Sequence, residues 1–153
     1  MMTDLNRIKL LHGRKVGVSD WKEITQDMVN SFAELTEDRQ WIHIDVDKAK
    51  QFMPNKGTIV HGFFTLSLTA KLVTNAIKNA VPIDYVSIIN YGSDKIRFLH
   101  AIPVGSSVRV AVTLKDYEQT DKKLKVTYLV EVESSHNNQV AAVIESIMLY
   151  HLK

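Results

Sequence analysis

The sequence contains no cysteine, so disulfide bonds, thiolate nucleophiles and cysteine-based metal sites are excluded. Proline and glycine are also scarce, with three and six residues respectively. No linker, repeat or low-complexity segment divides the chain. We therefore expect residues 1–153 to form one domain with a single core.

The sequence also lacks a large excess of basic or acidic residues. Nineteen basic against 17 acidic side chains give a formal net charge of +2, too small to favour a nucleic-acid partner. No stretch approaches the ~20 apolar residues of a membrane span, and the first 16 residues lack the apolar core of a signal peptide. We expect a cytoplasmic protein that binds neither nucleic acid nor membrane.

Two helical patterns are present in the first third of the chain. Thr25 is a candidate N-cap for a first helix, whose core-facing residues would be Met28, Val29, Phe32 and Leu35. Asp45 is a candidate N-cap for a second, short helix with Ala49 and Phe52 on one side.

Asp38 and His43 fall in the link between these helices, where the backbone can aim both side chains at one point. A carboxylate and an imidazole titrate in different ranges, and together they can hold a water, remove a proton from it and return a proton elsewhere. The alternative is structural: Asp38 caps a helix end and His43 is a hydrogen-bonded core histidine.

A long apolar segment and a series of strand-like runs occupy the rest of the chain. From Thr58 to Val81 polar residues are sparse until Lys71, which predicts a long helix whose first half is buried all round. Because no crossover helices separate the runs that follow, we expect an α+β fold with a largely antiparallel sheet wrapped around this helix. The predicted strands are Tyr85–Tyr91, Ile96–Leu99, Val108–Tyr117, Leu124–Val132 and Val140–Tyr150.

Three ordered blocks resemble the MaoC-like dehydratases and (R)-specific enoyl-CoA hydratases, and most of all the nodulation protein N branch of that family. The second block is Ile59–Gly62 with the apolar helix after it, and the third is Tyr91–Phe98 followed by Pro103–Gly105. The first block keeps the register of the family's hydratase motif at Phe32, Leu35, Thr36, Asp38, Ile42, His43 and Ala49. It departs from the motif at Glu37, Gln40 and Trp41, where the family usually has Gly, Asn and Pro; later, Ala70 replaces a Ser found in some hydratases.

The resemblance implies a hot-dog fold, in which an antiparallel sheet wraps around a long buried central helix. It implies addition of water to a trans-2-enoyl thioester, giving an (R)-3-hydroxyacyl thioester, or the reverse dehydration. The acyl group would be carried by coenzyme A or by an acyl carrier protein. No further cofactor and no metal are expected, and the family usually forms homodimers.

The resemblance also assigns roles to individual residues. Asp38 and His43 would activate the water, and the backbone N–H of Gly62 would stabilise the enolate oxygen. His61, Tyr91 and Gly92 are the remaining candidates for binding the substrate. From the residues alone, Gly62 also fits a glycine that merely permits the turn into a helix.

Two other functions remain open at this point. A hot-dog thioesterase also places a carboxylate near the central helix but does not require a histidine five residues later. A non-catalytic acyl-thioester or lipid-signal binding protein would keep the pocket without turnover. The bulk of Trp41 beside the pair predicts a pocket narrowed towards short acyl chains.

Overall fold

The computed structural model describes residues 4–81 and 83–153. No helix in these ranges is long and apolar enough to cross a membrane. The elements in chain order are α1 (Asp4–Leu11), β1 (Lys15–Val18), β2 (Lys22–Glu23), α2 (Gln26–Thr36), α3 (Trp41–Ile44), α4 (Val46–Phe52), α5 (Gly62–Ile77), β3 (Tyr85–Phe98), β4 (Ser107–Thr120), β5 (Lys123–Ser134) and β6 (Gln139–Leu152).

The strands form one antiparallel sheet in the order β1-β4-β5-β6-β3, with β2 also paired to β4. The α+β prediction and the antiparallel prediction are confirmed. The runs Tyr85–Tyr91 and Ile96–Leu99 are not separate strands, however, because β3 continues through them to Phe98. Its pairing with β6 shifts register between Ser93 and Ile96, and this irregularity interrupts the alternating pattern that marks a strand.

Helix α5 lies against the sheet through one side only. Its buried residues are Phe64, Thr65, Thr69, Leu72, Val73 and Ile77. The prediction that its first half is buried all round is wrong for the single chain, since Phe63 is 71 % exposed and Ser67 is exposed too. The helix also begins later than the apolar segment does, because Ile59 is still extended and bridges to Pro103.

Both predicted helix caps of the N-terminal third are present. The Thr25 hydroxyl accepts the N–H of Met28 at 3.3 Å, and the Asp45 carboxylate accepts the N–H of Lys48 at 2.9 Å. Of the core residues predicted for α2, Val29 is buried and Met28 and Phe32 pack against the core, but Leu35 is 83 % exposed. Ala33 is buried as well, although it was not predicted. In α4, Ala49 is buried, whereas Phe52 is 62 % exposed.

Candidate active site

The segment that carries Asp38 begins with a reversal of the backbone at the end of α2. Glu37, the C-cap, has φ +61°, in the left-handed region that favours glycine. For other residues this conformation costs about 1–2 kcal/mol. Glu37 therefore adopts this conformation at some cost in stability. Arg39 pairs with Glu34 at 2.9 Å and ties the reversed segment back to α2.

His43 does not lie in an irregular link, as predicted, but on the short helix α3. Its side chain is buried, and Nδ1 is 2.7 Å from the carbonyl oxygen of Ile59. Because a carbonyl oxygen can only accept, Nδ1 carries the proton, and Nε2 of the neutral ring is left as a base. Burial lowers the pKa of His43 and is the largest influence on it, whereas the hydrogen bond to Ile59 raises this pKa. Two smaller influences are the charge interaction with His61, which lowers the pKa, and that with Asp38, which raises it.

The structure brings Asp38 and His43 together, with His61 as a third member. One nitrogen or carboxylate oxygen from each of the three residues lies within 4.8 Å of the others. The Asp38 carboxylate is 56 % exposed, and its Oδ2 is 4.0 Å from Nε2 of His61. A solvent-accessible carboxylate beside a buried neutral imidazole is an arrangement that can bind and polarise one water.

Gln26 joins α3, which carries His43, to the segment around Thr58 that leads into α5. No sequence pattern identifies this residue. Its amide N–H donates to the carbonyl oxygen of His43 at 2.7 Å, and its amide oxygen accepts the hydroxyl of Thr58 at 2.6 Å. The N–H of Ile59 donates to Ile42 at 3.0 Å and reinforces the same junction. Residue spacing does not mark Gln26, because its partners are 17 and 32 positions away.

A cavity of about 290 Å³ opens beside His43 at the start of α5. It is lined by His43, Ile59, Val60, Gly62, Thr65, Phe98, Leu99, His100, Ala101, Ile102, Ala141 and Ala142. Gly62 is the first residue of α5, so its N–H has no partner within the helix and lies at the positive end of the helix dipole. None of the hydrogen bonds in the described chain uses this N–H.

Gly62 also allows a close contact. A Cβ at this position would lie only 2.9 Å from Cε2 of Phe98 and 3.0 Å from its Cδ2 and Cζ. Any larger residue here would therefore have to displace the Phe98 ring, which forms one wall of the cavity.

Five residues predicted near the site do not line this cavity in the single chain: Asp38 and His61, which lie beside His43, and Tyr91, Gly92 and Trp41, which lie elsewhere. Tyr91 precedes Phe98 by seven positions, about 23 Å along an extended strand, and lines a different depression on the sheet. Gly92 precedes Phe98 by six positions, about 20 Å along β3. The ring of Trp41 contacts Phe52 and Lys48 instead of narrowing the cavity.

The geometry of the three polar residues suits a metal ion poorly. The rings of His43 and His61 are stacked, with centroids 3.7 Å apart and planes inclined by 23°. Imidazole lone pairs lie in the ring plane, so those of two stacked rings lie in nearly parallel planes, whereas zinc needs lone pairs that converge on one point at about 2.0–2.1 Å. A metal-free site stays a prediction.

Comparison with known proteins identifies the family. The family model described as "MaoC like domain" matches residues 8–136. A relative from Mycobacterium tuberculosis, "3-hydroxyacyl-thioester dehydratase Z", is 42 % identical over 146 residues, covering 90 % of this chain and 89 % of that protein. "Nodulation protein N" of Rhizobium meliloti is 34 % identical over 138 residues, covering 90 % and 84 %.

Solved structures confirm the hot-dog prediction. The structure of the "(R)-hydratase from A. caviae involved in PHA biosynthesis" superposes with a TM-score of 0.71 at 23 % identity, covering 91 % of this chain and 97 % of that one. Since the family model spans most of the sequence and two relatives exceed 30 % identity over nearly its full length, the chain belongs to the MaoC-like domain family.

Proposed function

We propose that this chain adds water to a trans-2-enoyl thioester, giving an (R)-3-hydroxyacyl thioester, and catalyses the reverse dehydration. The observation that carries the proposal is the buried His43, whose Nδ1–H is fixed on the carbonyl oxygen of Ile59 and which has one ring nitrogen within 4.8 Å of an Asp38 carboxylate oxygen. The name of the mycobacterial relative, a 3-hydroxyacyl-thioester dehydratase, supports the same reaction.

The chemistry follows from where protons must move. The oxygen of a water bound between Asp38 and His43 forms a bond to C3 of the enoyl group, and the electron pair of the C2–C3 double bond shifts towards the thioester carbonyl. Nε2 of His43 suits the role of accepting the water's proton, and the pair then returns one proton to C2. Water thus supplies both added groups, and no electrons are exchanged, so the proposed reaction needs no redox cofactor.

Gly62 is proposed to stabilise the intermediate. Negative charge develops on the thioester oxygen when water adds, and a fixed N–H at a helix start is directed before that charge appears. Gly62 lines the same cavity as His43, which supports this role. The cavity volume of about 290 Å³ lies near the lower end for ligand sites. We therefore expect short acyl groups to fit, with the coenzyme A or acyl carrier protein portion remaining outside.

The pair is tested by substitution. Asp38→Asn and His43→Ala should each lower kcat for enoyl-thioester hydration roughly 10²–10⁴-fold, the usual contribution of a general acid or base. Asp47→Asn is the matched control, because Asp47 is an exposed carboxylate in the first turn of α4. Losses below about tenfold in both folded variants would overturn the assignment.

We also propose that two copies associate through β3. This strand pairs with β6 along one edge only, and its other edge is open for 14 residues. Its exposed apolar side chains are Tyr85, Val86, Ile89, Tyr91 and Phe98. A long apolar edge strand is a ready template for pairing with another strand. The predicted roles of Tyr91 and Gly92 in substrate binding would require such a second chain.

Sedimentation tests the dimer. The wild-type chain should sediment at micromolar concentration as twice its 17.4 kDa mass. Ile89→Lys should shift it to monomer, whereas Leu10→Lys, which adds the same charge at an exposed position on α1, should not. A wild-type species of single-chain mass would contradict the proposal. The cytoplasmic location remains a prediction from sequence.

A further inference from the structure

His61 contacts both residues of the proposed catalytic pair. It is only 2 % exposed and occupies the N-cap position of α5 without making a side-chain capping bond. Its Nε2 is 2.9 Å from the backbone carbonyl oxygen of Asp38, and its ring is stacked on that of His43 with centroids 3.7 Å apart. The buried imidazole of His61 therefore contacts the backbone of Asp38 and one face of the His43 ring.

The hydrogen-bond pattern shows that this contact is not simple packing. The Asp38 carbonyl can only accept, so the proton of neutral His61 is on Nε2. Nδ1 is then an acceptor, and it is the one buried side-chain nitrogen or oxygen in the described ranges that lacks a hydrogen-bond partner. Such an unpaired group costs about 1–3 kcal/mol. Phenylalanine would fill the same space without that cost, so what histidine adds here is the N–H to Asp38.

The titratable side chains near His43 come from three parts of the chain. Asp38 approaches from the segment after α2 and His61 from the start of α5, while His100 lines the same cavity as His43. Of these, only His61 lies flat against the ring of His43. It therefore excludes water from one face of the base.

We propose that His61 is a positioning residue: its Nε2–H fixes the backbone of Asp38, and its ring keeps one face of His43 dry. This inference rests on the proposed hydratase function, because the two residues it positions are the pair assigned to that reaction. It replaces the expectation that His61 binds the substrate directly, and His61 does not line the cavity.

Two substitutions separate the two contacts. His61→Phe keeps a ring over His43 and loses the donor to Asp38. Its kcat should fall about tenfold to hundredfold, the scale of a slight misplacement of a catalytic group. The acid limb of the kcat/KM pH profile should move up only slightly, because the burial of His43 is kept and only the smaller charge interaction with His61 is lost. His61→Gln keeps an N–H that reaches Asp38 and loses the ring. Its kcat should fall less, while the acid limb moves up in pH towards the ordinary histidine value of about 6.5.

A stability-matched control and a readout independent of turnover complete the test. His61→Phe leaves the carbonyl oxygen of Asp38 without its donor, and Tyr128→Phe likewise leaves the buried hydroxyl of Tyr150 without its partner. Tyr128→Phe should lower stability without changing kcat or the pH profile. NMR titration of His43 should show its pKa rising clearly in His61→Gln and much less in His61→Phe.

The outcomes distinguish the inference from the function beneath it. A wild-type chain without hydration activity overturns the proposed function. In an active chain, an unshifted His43 titration in His61→Gln, or a wild-type kcat in His61→Phe, overturns the positioning role.

Discussion

Replacing Gly62 by alanine would place a methyl group where the ring of Phe98 already lies. The new Cβ would be 2.9–3.0 Å from three ring carbons. Carbon atoms pack best at about 3.5–4.0 Å, so the ring has to retreat by roughly half an ångström or more. Overpacking of a well-packed core costs about 1–3 kcal/mol, and because the Phe98 ring is 45 % exposed and can turn aside, we expect the lower half of that range, about 1–2 kcal/mol.

A smaller effect opposes the clash. Gly62 is helical, without a positive φ, and alanine is favoured over glycine in a helix by roughly 0.5–1 kcal/mol. The clash is still the larger quantity, so we expect Gly62→Ala to lower the free energy of unfolding by roughly 0.5–1 kcal/mol. In a Phe98→Ala background the clash is absent, and the same substitution should stabilise by roughly 0.5–1 kcal/mol.

Urea denaturation of the four proteins measures this cycle. The sign of the Gly62→Ala effect should reverse between the two backgrounds. Because alanine keeps the backbone N–H proposed for the oxyanion site, the cycle reports the packing alone. An equal destabilisation in both backgrounds, or a stabilisation in the wild-type background, would refute the role given to Phe98.

Two further predictions concern buried titratable groups. Since burial lowers the pKa of His43, the unfolded chain takes up more protons than the folded one as the pH falls below about 6.5, and stability should decrease there. Urea denaturation at about pH 7.5 and about pH 5.5 should show a smaller decrease in His43→Gln, and equal decreases would contradict this. Burial raises the pKa of Tyr150 to about 12, so its hydroxyl, 2.9 Å from that of Tyr128, stays protonated at neutral pH. Tyr128→Phe should cost about 1–3 kcal/mol, and the double phenylalanine variant should cost less than the two single changes added together, as calorimetry can show.

Features set by local chemistry were the ones the sequence predicted well. Thr25 and Asp45 cap helices because a cap needs only a side-chain oxygen and an N–H three residues on. The alternation of fully buried and half-buried residues along β5 likewise follows from burial of one face of the sheet. The Asp38–His43 proximity came from a motif whose spacing is short enough for one segment to set it.

Features set by distant parts of the chain were missed. The exposure of Leu35 depends on what packs against α2, and helical periodicity does not report that. Tyr91 belongs to a block that resembles the family, but it lies about 23 Å along β3 from Phe98. The contacts of Gln26 and the stacking of His61 on His43 join segments that only the folded chain brings together.

The central claim is tested most directly by incubating the purified chain with crotonyl-CoA. We predict loss of the enoyl-thioester ultraviolet absorbance, formation of (R)-3-hydroxybutyryl-CoA and no release of free thiol, with Asp38→Asn inactive by comparison. Release of coenzyme A would instead show a thioesterase. Binding of crotonyl-CoA without any turnover, in a chain with a normal melting curve, would contradict the hydratase account altogether.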